Sequence, residues 1–312
     1  MLSNLGNAFG TGFDYFTIIY LTALGGLFCE RSGIVNIGLE GMMIMGTVTG
    51  AYGVQQWGPL GGLAFGLLCG ALFASIHAVA TVTFRVDQIV SGVVINLAAV
   101  GIARFLSQLW FGQATQSDPG AAHLGQWDIP LLSKIPLGLG AAFQHMSPMV
   151  IVAFLMVFPV SFVLFHTRYG LRLRSAGENP EATTSVGVRV APIRYSAVLL
   201  SGAFAGTAGW FLAFEVNDHW REGQTVGLGF IALAALILSN WNPKRLILAA
   251  LLFGFAQAIP YWLNDAPIIR LLPPEFIRMI PYVVTIVAIA GFVGKVRPPA
   301  AAGKAYEGGT GI

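Results

Sequence analysis

The most prominent feature of the sequence is the alternation of long apolar runs with short polar segments. A helix needs roughly 20 apolar residues to cross the hydrocarbon core of a bilayer. Nine runs approach or reach that length, and they cover residues 13–29, 33–54, 60–84, 88–111, 148–166, 193–214, 226–239, 246–263 and 279–294. The second run is interrupted by glycine and polar positions, and the seventh is short. The pattern predicts an all-α, polytopic transmembrane helical bundle of about nine spans, forming a single domain over residues 1–312.

Composition supports a membrane location for this bundle. Charged residues make up 10% of the chain and hydrophobic residues 55%, whereas a soluble domain is about one quarter charged. The net charge of +3 comes from cations in short loops between apolar runs, which indicates orientation in a membrane rather than nucleic-acid binding. Cys29 and Cys69 lie inside apolar runs and predict neither a disulfide nor a metal site. We expect a multi-pass protein of the inner or plasma membrane, in contact with lipid.

The distribution of lysine and arginine predicts which loops face the cytoplasm. Five arginines occur from Arg168 to Arg194, and cytoplasmic loops carry an excess of such cations. We therefore place a cytoplasmic loop at about 168–192, a cytoplasmic tail at 295–312 and an extracytoplasmic loop at about 112–147. Counting spans back from these loops places the amino terminus outside.

A weak internal repeat accompanies the apolar pattern. Trp57-Gly-Pro59 and Trp241-Asn-Pro243 are 184 residues apart, and each is followed by an apolar run. Span counting puts Trp57 outside and Trp241 inside, so the two copies would be inverted relative to each other. Inverted repeats with broken helices that meet near the membrane midplane are typical of transporters. A chance match between runs rich in glycine and leucine is the alternative.

Three polar residues within the apolar runs are candidates for a solute pathway. Glu40 and Asn36 lie in the interrupted second run, and Asn96 lies in the fourth. A carboxylate inside the membrane costs about 2.5–3.5 kcal/mol on insertion scales, so by default it marks a site or a pathway. The alternatives are structural: Glu40 could bond to backbone and pin the break, and Asn96 could hold two helices together.

The segment from Gly177 to Gly187 predicts a short, capped helix outside the bilayer. Asn179 can serve as the N-cap, Pro180 suits the first helical position, and Glu181 favours the positive end of the helix dipole. Gly187 supplies a stop at the carboxyl end. Such a helix is either an ordinary element of the loop or a docking surface for a cytoplasmic partner.

The same segment resembles the coupling motif of ABC-importer permeases, in which Glu-Ala-Ala is followed, after three residues, by glycine. Here Glu181-Ala182-Thr183 is followed by Gly187, with threonine at the third position. Residues 30–43 resemble the amino-terminal signature of simple-sugar and nucleoside permeases, and residues 294–299 with 303–306 look like the tail of the nucleoside-type branch. The resemblance implies a set of ATPase-coupling residues: Gly177, Glu178, Asn179, Pro180, Glu181, Ala182, Thr183 and Gly187.

Membership of such a family implies a complex of several chains. The resemblance implies a cytoplasmic ABC ATPase with two fused nucleotide-binding halves, a second, related permease subunit and a lipid-anchored solute-binding protein outside. The sequence contains no Gly-x-x-x-x-Gly-Lys-Ser/Thr P-loop. ATP would therefore be used by the partner, and we expect this chain to need no cofactor of its own.

Sequence motifs also distinguish a permease from a membrane hydrolase and from a secondary carrier or channel. Neither Gly-x-Ser-x-Gly nor His-Glu-x-x-His occurs, which argues against a membrane hydrolase, so no catalytic residue is predicted. A secondary carrier or channel could also contain an intramembrane glutamate, but it has no need of a docking helix. We predict a permease that imports a nucleoside by alternating access, with a simple sugar or a branched-chain amino acid as alternative solutes.

Overall fold

In the computed structural model the chain folds into a bundle of α-helices. The structure describes residues 2–119, 124–130, 133, 140, 143–144, 146–263, 273–292 and 296–306. Its helices are α1 (Leu2–Arg31), α2 (Leu39–Ala78), α3 (Gln88–Phe111), α4 (Pro148–Leu155), α5 (Val157–His166), α6 (Arg168–Glu178), α7 (Pro180–Ser185), α8 (Val190–Phe211), α9 (Leu228–Leu238), α10 (Pro243–Leu263) and α11 (Pro274–Phe292). Short π-helical turns, Val79–Thr83 and Leu212–Val216, extend α2 and α8. No β-strand occurs among the described residues, and the predicted all-α class is confirmed.

Helix α2 is a hairpin rather than one straight rod. Gly58 has φ 75° and ψ −176°, a conformation open essentially to glycine alone, and Pro59 follows it. The rings of Tyr52 and Phe65 lie 6.3 Å apart, whereas a straight helix would separate these two residues by about 20 Å. Residues 39–57 and 59–78 therefore form two antiparallel limbs, which correspond to the predicted second and third spans.

Six helical segments are long and apolar enough to cross a membrane by length and composition. They are Phe9–Arg31, Leu39–Thr83, Gln88–Phe111, Pro148–His166, Val190–Val216 and Pro243–Tyr261. The second segment contains both limbs of the α2 hairpin. Helix α9 lies on the predicted seventh run but has only 11 residues, about 16 Å, so it covers roughly half of the hydrocarbon thickness. Helix α11 lies on the ninth run, whose last two residues are outside the described part of the chain.

Glycines bring α2 and α8 into backbone contact. A Cβ added at Gly206 would lie 2.3 Å from the carbonyl oxygen of Gly66, and one added at Gly70 would lie 2.4 Å from that of Gly202. On the first limb, a Cβ added at Gly46 would lie 2.3 Å from the Gly206 oxygen. Small residues permit such close approach of helices in lipid. We call these five residues the glycine contact.

The bundle has two distinct ends. At one end the basic segment 168–187 lies beside the tail, where the Ala301 amide donates a hydrogen bond to the Gly177 oxygen at 2.8 Å. At the other end the Ser117 amide donates to the Trp220 oxygen at 3.0 Å. The basic loop and the tail therefore share one end, as the charge pattern requires, and we refer to it as the cytoplasmic end. Parts of the predicted loop 112–147 and tail 295–312 lie outside the described residues.

The two copies of the sequence repeat occupy opposite ends of the bundle. Trp57 stands beside the turn of the α2 hairpin, with its ring 5.4 Å from that of Phe65. Trp241 lies at the cytoplasmic end and contacts Glu30. In both copies the proline begins a helical segment, since Pro59 opens the second limb of α2 and Pro243 opens α10. This arrangement agrees with the predicted inversion.

Candidate functional site

The short helix predicted outside the bilayer is α7. Its N-cap is Asn179, whose Oδ1 accepts a hydrogen bond from the Ala182 amide at 2.9 Å, and Pro180 occupies the first turn. Gly187 has φ 81° and provides a left-handed stop just beyond the end of the helix. Both predicted caps are confirmed, and they make α7 a defined projection rather than a loose loop.

One side of α7 faces solvent, and the other packs against α6. Glu181 and Ala182 are exposed, and Val186 beside them is 76% exposed. Thr183 is only 2% exposed, and its Oγ1 lies 2.6 Å from Ser175 Oγ on α6. Thr183 belongs to the coupling residues that the resemblance implies, but its side chain anchors α7 on α6 and does not face a partner. Glu181, Ala182 and Val186 form the free surface, which we call the α7 face.

Gly177 and Glu178 connect α6 to other segments instead of joining the α7 face. A Cβ added at Gly177 would lie 2.2 Å from the carbonyl oxygen of Arg31, so the end of α6 rests directly on the end of α1. Glu178 Oε2 accepts a hydrogen bond from the Ala300 amide in the tail at 3.3 Å. The end of α6, on which α7 rests, therefore contacts both α1 and the tail.

The carboxyl-terminal tail also holds α7 in place at the cytoplasmic end. Tyr306 OH lies 2.6 Å from Thr184 Oγ1 on α7. The Tyr306 ring also faces the guanidinium of Arg194, with 5.7 Å from its Cζ to the ring centroid. The sequence predicted this tail to be cytoplasmic and similar to the tail of the nucleoside-type branch, but it did not predict the contacts of Tyr306. The available signal was a tyrosine within a stretch of otherwise small and polar residues.

The interruption predicted in the second run is a non-helical segment, residues 32–38, between α1 and α2. Asn36 is fully buried, and its Nδ2 donates to Ser201 Oγ on α8 at 2.6 Å. Asn96 Oδ1 accepts from the Gly41 amide at 2.8 Å, and its Nδ2 donates to a backbone oxygen of the break at 3.0 Å. Both asparagines fix irregular backbone inside the bundle, where unpaired backbone groups are costly.

Glu40 holds the start of α9. Its Oε1 accepts hydrogen bonds from Thr225 Oγ1 at 2.6 Å and from the Gly227 amide at 3.0 Å, and its Oε2 accepts one from the Gly229 amide at 2.7 Å. The carboxylate is 7% exposed and belongs to the first turn of α2. One negative charge therefore serves the positive dipole ends of two helices, α2 and α9. We call this arrangement the Glu40 clamp.

These contacts bear on the alternatives for the three polar residues, which were all predicted as candidates for a solute pathway. Glu40 pins the break and Asn96 joins two helices, as their structural alternatives required. Asn36 Nδ2 is bonded to Ser201, whereas its Oδ1 has no hydrogen-bond partner among the described residues. Because Glu40 also joins the break to α9, its position suits an inner gate that moves with those two elements.

The other end of α9 is held as well. Trp241 follows the helix closely; its Nε1 donates to Glu30 Oε2 at 2.5 Å, and its carbonyl oxygen accepts from Arg31 Nη2 at 2.7 Å. Glu30 is 5% exposed. The half-length helix is therefore attached to the end of α1 at its cytoplasmic side and to α2 at its inner side. Sequence reasoning missed Glu30 as a site residue, although a glutamate next to an arginine at the end of an apolar run is a usable signal.

Comparison with known proteins places this architecture among transport components. Residues 9–289 match the protein family described as "Branched-chain amino acid transport system / permease component". The chain is 41% identical over 303 residues to the nucleoside ABC transporter permease protein NupC of Lactococcus lactis, with 94% of each chain covered. It is 40% identical over 299 residues to the guanosine ABC transporter permease protein NupQ of Bacillus subtilis, covering 94% of this chain and 93% of the relative.

A third relative carries a different solute in its name. The chain is 34% identical over 248 residues to TsgC13 of Haloferax volcanii, provisionally named a glucose ABC transporter permease. This match covers 78% of the chain and 73% of the relative. It is thus both lower in identity and shorter than the two matches to nucleoside permeases.

Proposed function

Because the chain belongs to the family of branched-chain amino acid transport system permease components, we propose that it is the membrane-spanning subunit of an ABC importer for nucleosides. The chain is a multi-pass protein of the plasma membrane, and its role is transport rather than catalysis. The observation that carries the proposed solute is the nearly full-length similarity to two relatives named for nucleoside and guanosine transport. A simple sugar is the second candidate, favoured by the relative named for glucose.

In the proposed function, a cytoplasmic ATPase supplies the energy for transport. The sequence has no P-loop of its own, so ATP must be hydrolysed by another chain. The α7 face suits a docking surface because it combines one carboxylate, Glu181, with the small Ala182 and the exposed apolar Val186. A charged group gives register and an apolar group gives buried area when two proteins associate.

A continuous set of contacts supports transmission from α7 to the interior. Helix α7 rests on α6 through Thr183, and α6 rests on the end of α1 at Gly177. The break follows α1 directly, and the Glu40 clamp joins the first turn after the break to α9. A push on the α7 face would therefore move the break and α9 together, which is what alternating access requires of an inner gate.

Two further partners complete the proposed complex. A second, related permease would supply the other side of the pathway, and a lipid-anchored binding protein would deliver the solute outside. The end opposite the α7 face offers polar groups for such delivery, among them exposed Arg221 and the ion pair of Arg104 with Glu222 at 2.5 Å. These contacts form a surface distinct from the basic cytoplasmic end.

The test is uptake by the complete complex in proteoliposomes, with ATP inside and binding protein outside. We expect ATP-dependent accumulation of labelled guanosine and uridine, and we expect unlabelled glucose or leucine in excess to leave it unchanged. Vesicles with a non-hydrolysable ATP analogue are the control. Uptake of glucose or leucine without uptake of either nucleoside would overturn the assignment of solute.

A further inference from the structure

A large cavity lies between α1, α10, α11 and the segment before α9. Its volume is about 460 Å³, within the range of small-molecule sites. Its polar lining consists of three tyrosines and two glutamines, and the rest is aliphatic or proline. These five residues are Tyr15, Gln224, Gln257, Tyr261 and Tyr282. We call it the tyrosine cavity.

The tyrosine cavity lies on the outer side of the Glu40 clamp. Gln257 is 14 residues beyond Pro243, where α10 begins at the cytoplasmic end, so it stands about 21 Å from that end. Tyr15 precedes Arg31, the cytoplasmic end of α1, by 16 residues, about 24 Å. A solute that arrives from outside would therefore meet this cavity before it meets the clamp.

The floor of the cavity is the start of α9. Val226 and Leu228 line it, and they flank Gly227, whose amide donates to Glu40 at 3.0 Å. Tyr282 OH donates to the Val226 oxygen at 2.9 Å. The cavity and the clamp therefore share one turn of backbone, and any change at the clamp changes the floor.

The lining suits an uncharged solute with a flat ring and several polar edges. Tyrosine rings stack on heterocyclic bases, and glutamine amides both donate and accept hydrogen bonds. The ten described lining residues include no charged side chain, and a charged solute without a partner would be costly to enclose. A zwitterionic amino acid or a nucleotide phosphate therefore fits this lining less well than a neutral nucleoside.

One buried donor in the lining lacks a partner. Gln224 Oε1 accepts hydrogen bonds from Asn217 Nδ2 and from the Arg221 amide, both at 3.3 Å. Its Nε2 is buried without a hydrogen-bond partner among the described residues. Buried polar atoms in native proteins are nearly always paired, so this amide would gain a partner if the Gln224 side chain turned toward the cavity.

We propose that the tyrosine cavity is a binding site for a neutral nucleoside on its way through the permease. The base lies against the tyrosine rings, and the amide of Gln257 bonds to its edge or to the ribose hydroxyls. Gln224 joins it if its amide turns toward the cavity. This inference rests on the proposed function and adds to it the residues that hold the solute. It also separates the holding site from the gate, because the Glu40 clamp lies under the cavity floor.

The test uses transport kinetics of the complete complex in proteoliposomes, with guanosine and uridine as probes. Tyr282→Ala removes a stacking ring, and we expect the KM for both nucleosides to rise about tenfold. Gln257→Leu keeps a similar volume but removes the amide, and we expect it to change the ratio of guanosine to uridine uptake. A residue with a merely structural role would lower the maximal rates of both uptakes in parallel and leave KM and the uptake ratio unchanged.

The matched control is Phe276→Ala. Phe276 is on α11, as Tyr282 is, but it is 61% exposed and is not among the residues lining the cavity; its KM and uptake ratio should equal those of the wild type. Uptake by the wild type is the separate test of the proposed function. Given that uptake, an unchanged KM in Tyr282→Ala together with an unchanged ratio in Gln257→Leu overturns the cavity site alone. If Tyr282→Ala fails to assemble, Gln257→Leu decides by its ratio.

Discussion

The glycine contact and the tyrosine cavity show two opposite ways in which helices meet in this protein. At the glycine contact, backbone touches backbone, and an added methyl group at Gly206 would lie 2.3 Å from the Gly66 oxygen. Around the tyrosine cavity, side chains such as Tyr15 and Tyr282 line a space of about 460 Å³. The first region has no room for rearrangement, whereas the second has room for a solute.

Helix α9 stands between these two regions. Its first turn forms the cavity floor, and it is bonded to Glu40 on α2, a helix of the glycine contact. The contrast teaches that packing density differs between the glycine contact, which we call the frame, and the region of the cavity, which is the part that would move in the proposed function. A permease of this kind needs both, because a gate can only be driven against something that stays in place.

The largest effect is expected from a substitution that overpacks the glycine contact. In Gly206→Leu the new side chain meets backbone of α2, which cannot rotate away, and overpacking of this kind costs about 1–3 kcal/mol or more. We expect loss of the folded chain, measured as monodisperse protein in detergent by size-exclusion chromatography. The matched control is Gly101→Leu on α3, because a Cβ at Gly101 meets nothing within 4 Å. Equal yields of the two variants would show that the glycine contact is not a rigid frame.

The next largest effect is expected at the Glu40 clamp, which joins α2 to the start of α9. Glu40→Gln retains the shape, but an amide has one acceptor oxygen and cannot accept all three hydrogen bonds of the clamp. Hydrogen bonds to a charged group contribute about 1.5–3 kcal/mol, so we expect uptake to fall about tenfold to a hundredfold while the complex still assembles. The measurement is initial uptake rate per assembled complex.

A glutamate elsewhere in the bundle controls for loss of charge. Glu275 is exposed in the first turn of α11, and Glu275→Gln should transport normally. Normal uptake kinetics in Glu40→Gln would leave the clamp without a part in gating.

A smaller effect is expected at the α7 face, the proposed docking surface for the ATPase. Glu181→Lys reverses the exposed charge, and Gly187→Val forces a β-branched residue to a φ of 81°. Both should uncouple ATP turnover from uptake, with a loss that is partial if the charge lies on the rim of the interface. The measurement is the number of solutes imported per ATP hydrolysed.

An exposed charge on the neighbouring helix provides the control for this experiment. Arg172→Gln removes a charge at an exposed position of α6, outside the α7 face, so its coupling ratio should match the wild type. A wild-type ratio in both Glu181→Lys and Gly187→Val would assign coupling to another segment.

The smallest effect is expected in the tail. Tyr306→Phe removes only the hydroxyl beside Thr184, whereas Tyr306→Ala also removes the ring from Arg194. Each contact contributes about 0.5–1.5 kcal/mol, so the melting temperature should fall slightly in the first variant and further in the second. Lys304→Ala, at an exposed tail position, should not change it. Equal melting temperatures in all three variants would show that the tail does not fasten α7.

The parts of the site that sequence could predict are those with local causes. Asn179 and Gly187 act within α7, so their types and spacing were sufficient to predict the caps. Gly58 and Pro59 likewise mark the hairpin turn between two apolar runs. The break at residues 32–38 was visible as glycine and polar positions within an otherwise apolar run.

The parts that could not be predicted depend on contacts between distant residues. Glu40 was conspicuous as a buried charge, but its partners Thr225 to Gly229 lie far along the chain, and no spacing identifies them. The inward direction of Thr183 depends on how α7 packs on α6. The tyrosine cavity joins Tyr15 to Tyr282, residues from the first and the last helix, and single residues of this type are ordinary in apolar runs.

The turn at Gly58 also bears on how the chain enters the bilayer during synthesis. No Asp, Glu, Lys or Arg occurs between Glu40 and Arg85. The turn can therefore cross the bilayer without moving any of these charged side chains through it. The orientation of the pair is then left to the cations on its flanks, Arg31 and Arg85, which are retained on the side of synthesis. Two apolar helices joined by such a turn form a single insertion unit, already closed by its own backbone hydrogen bonds. The frame helix α8, which is made later, meets a hairpin that is already in place.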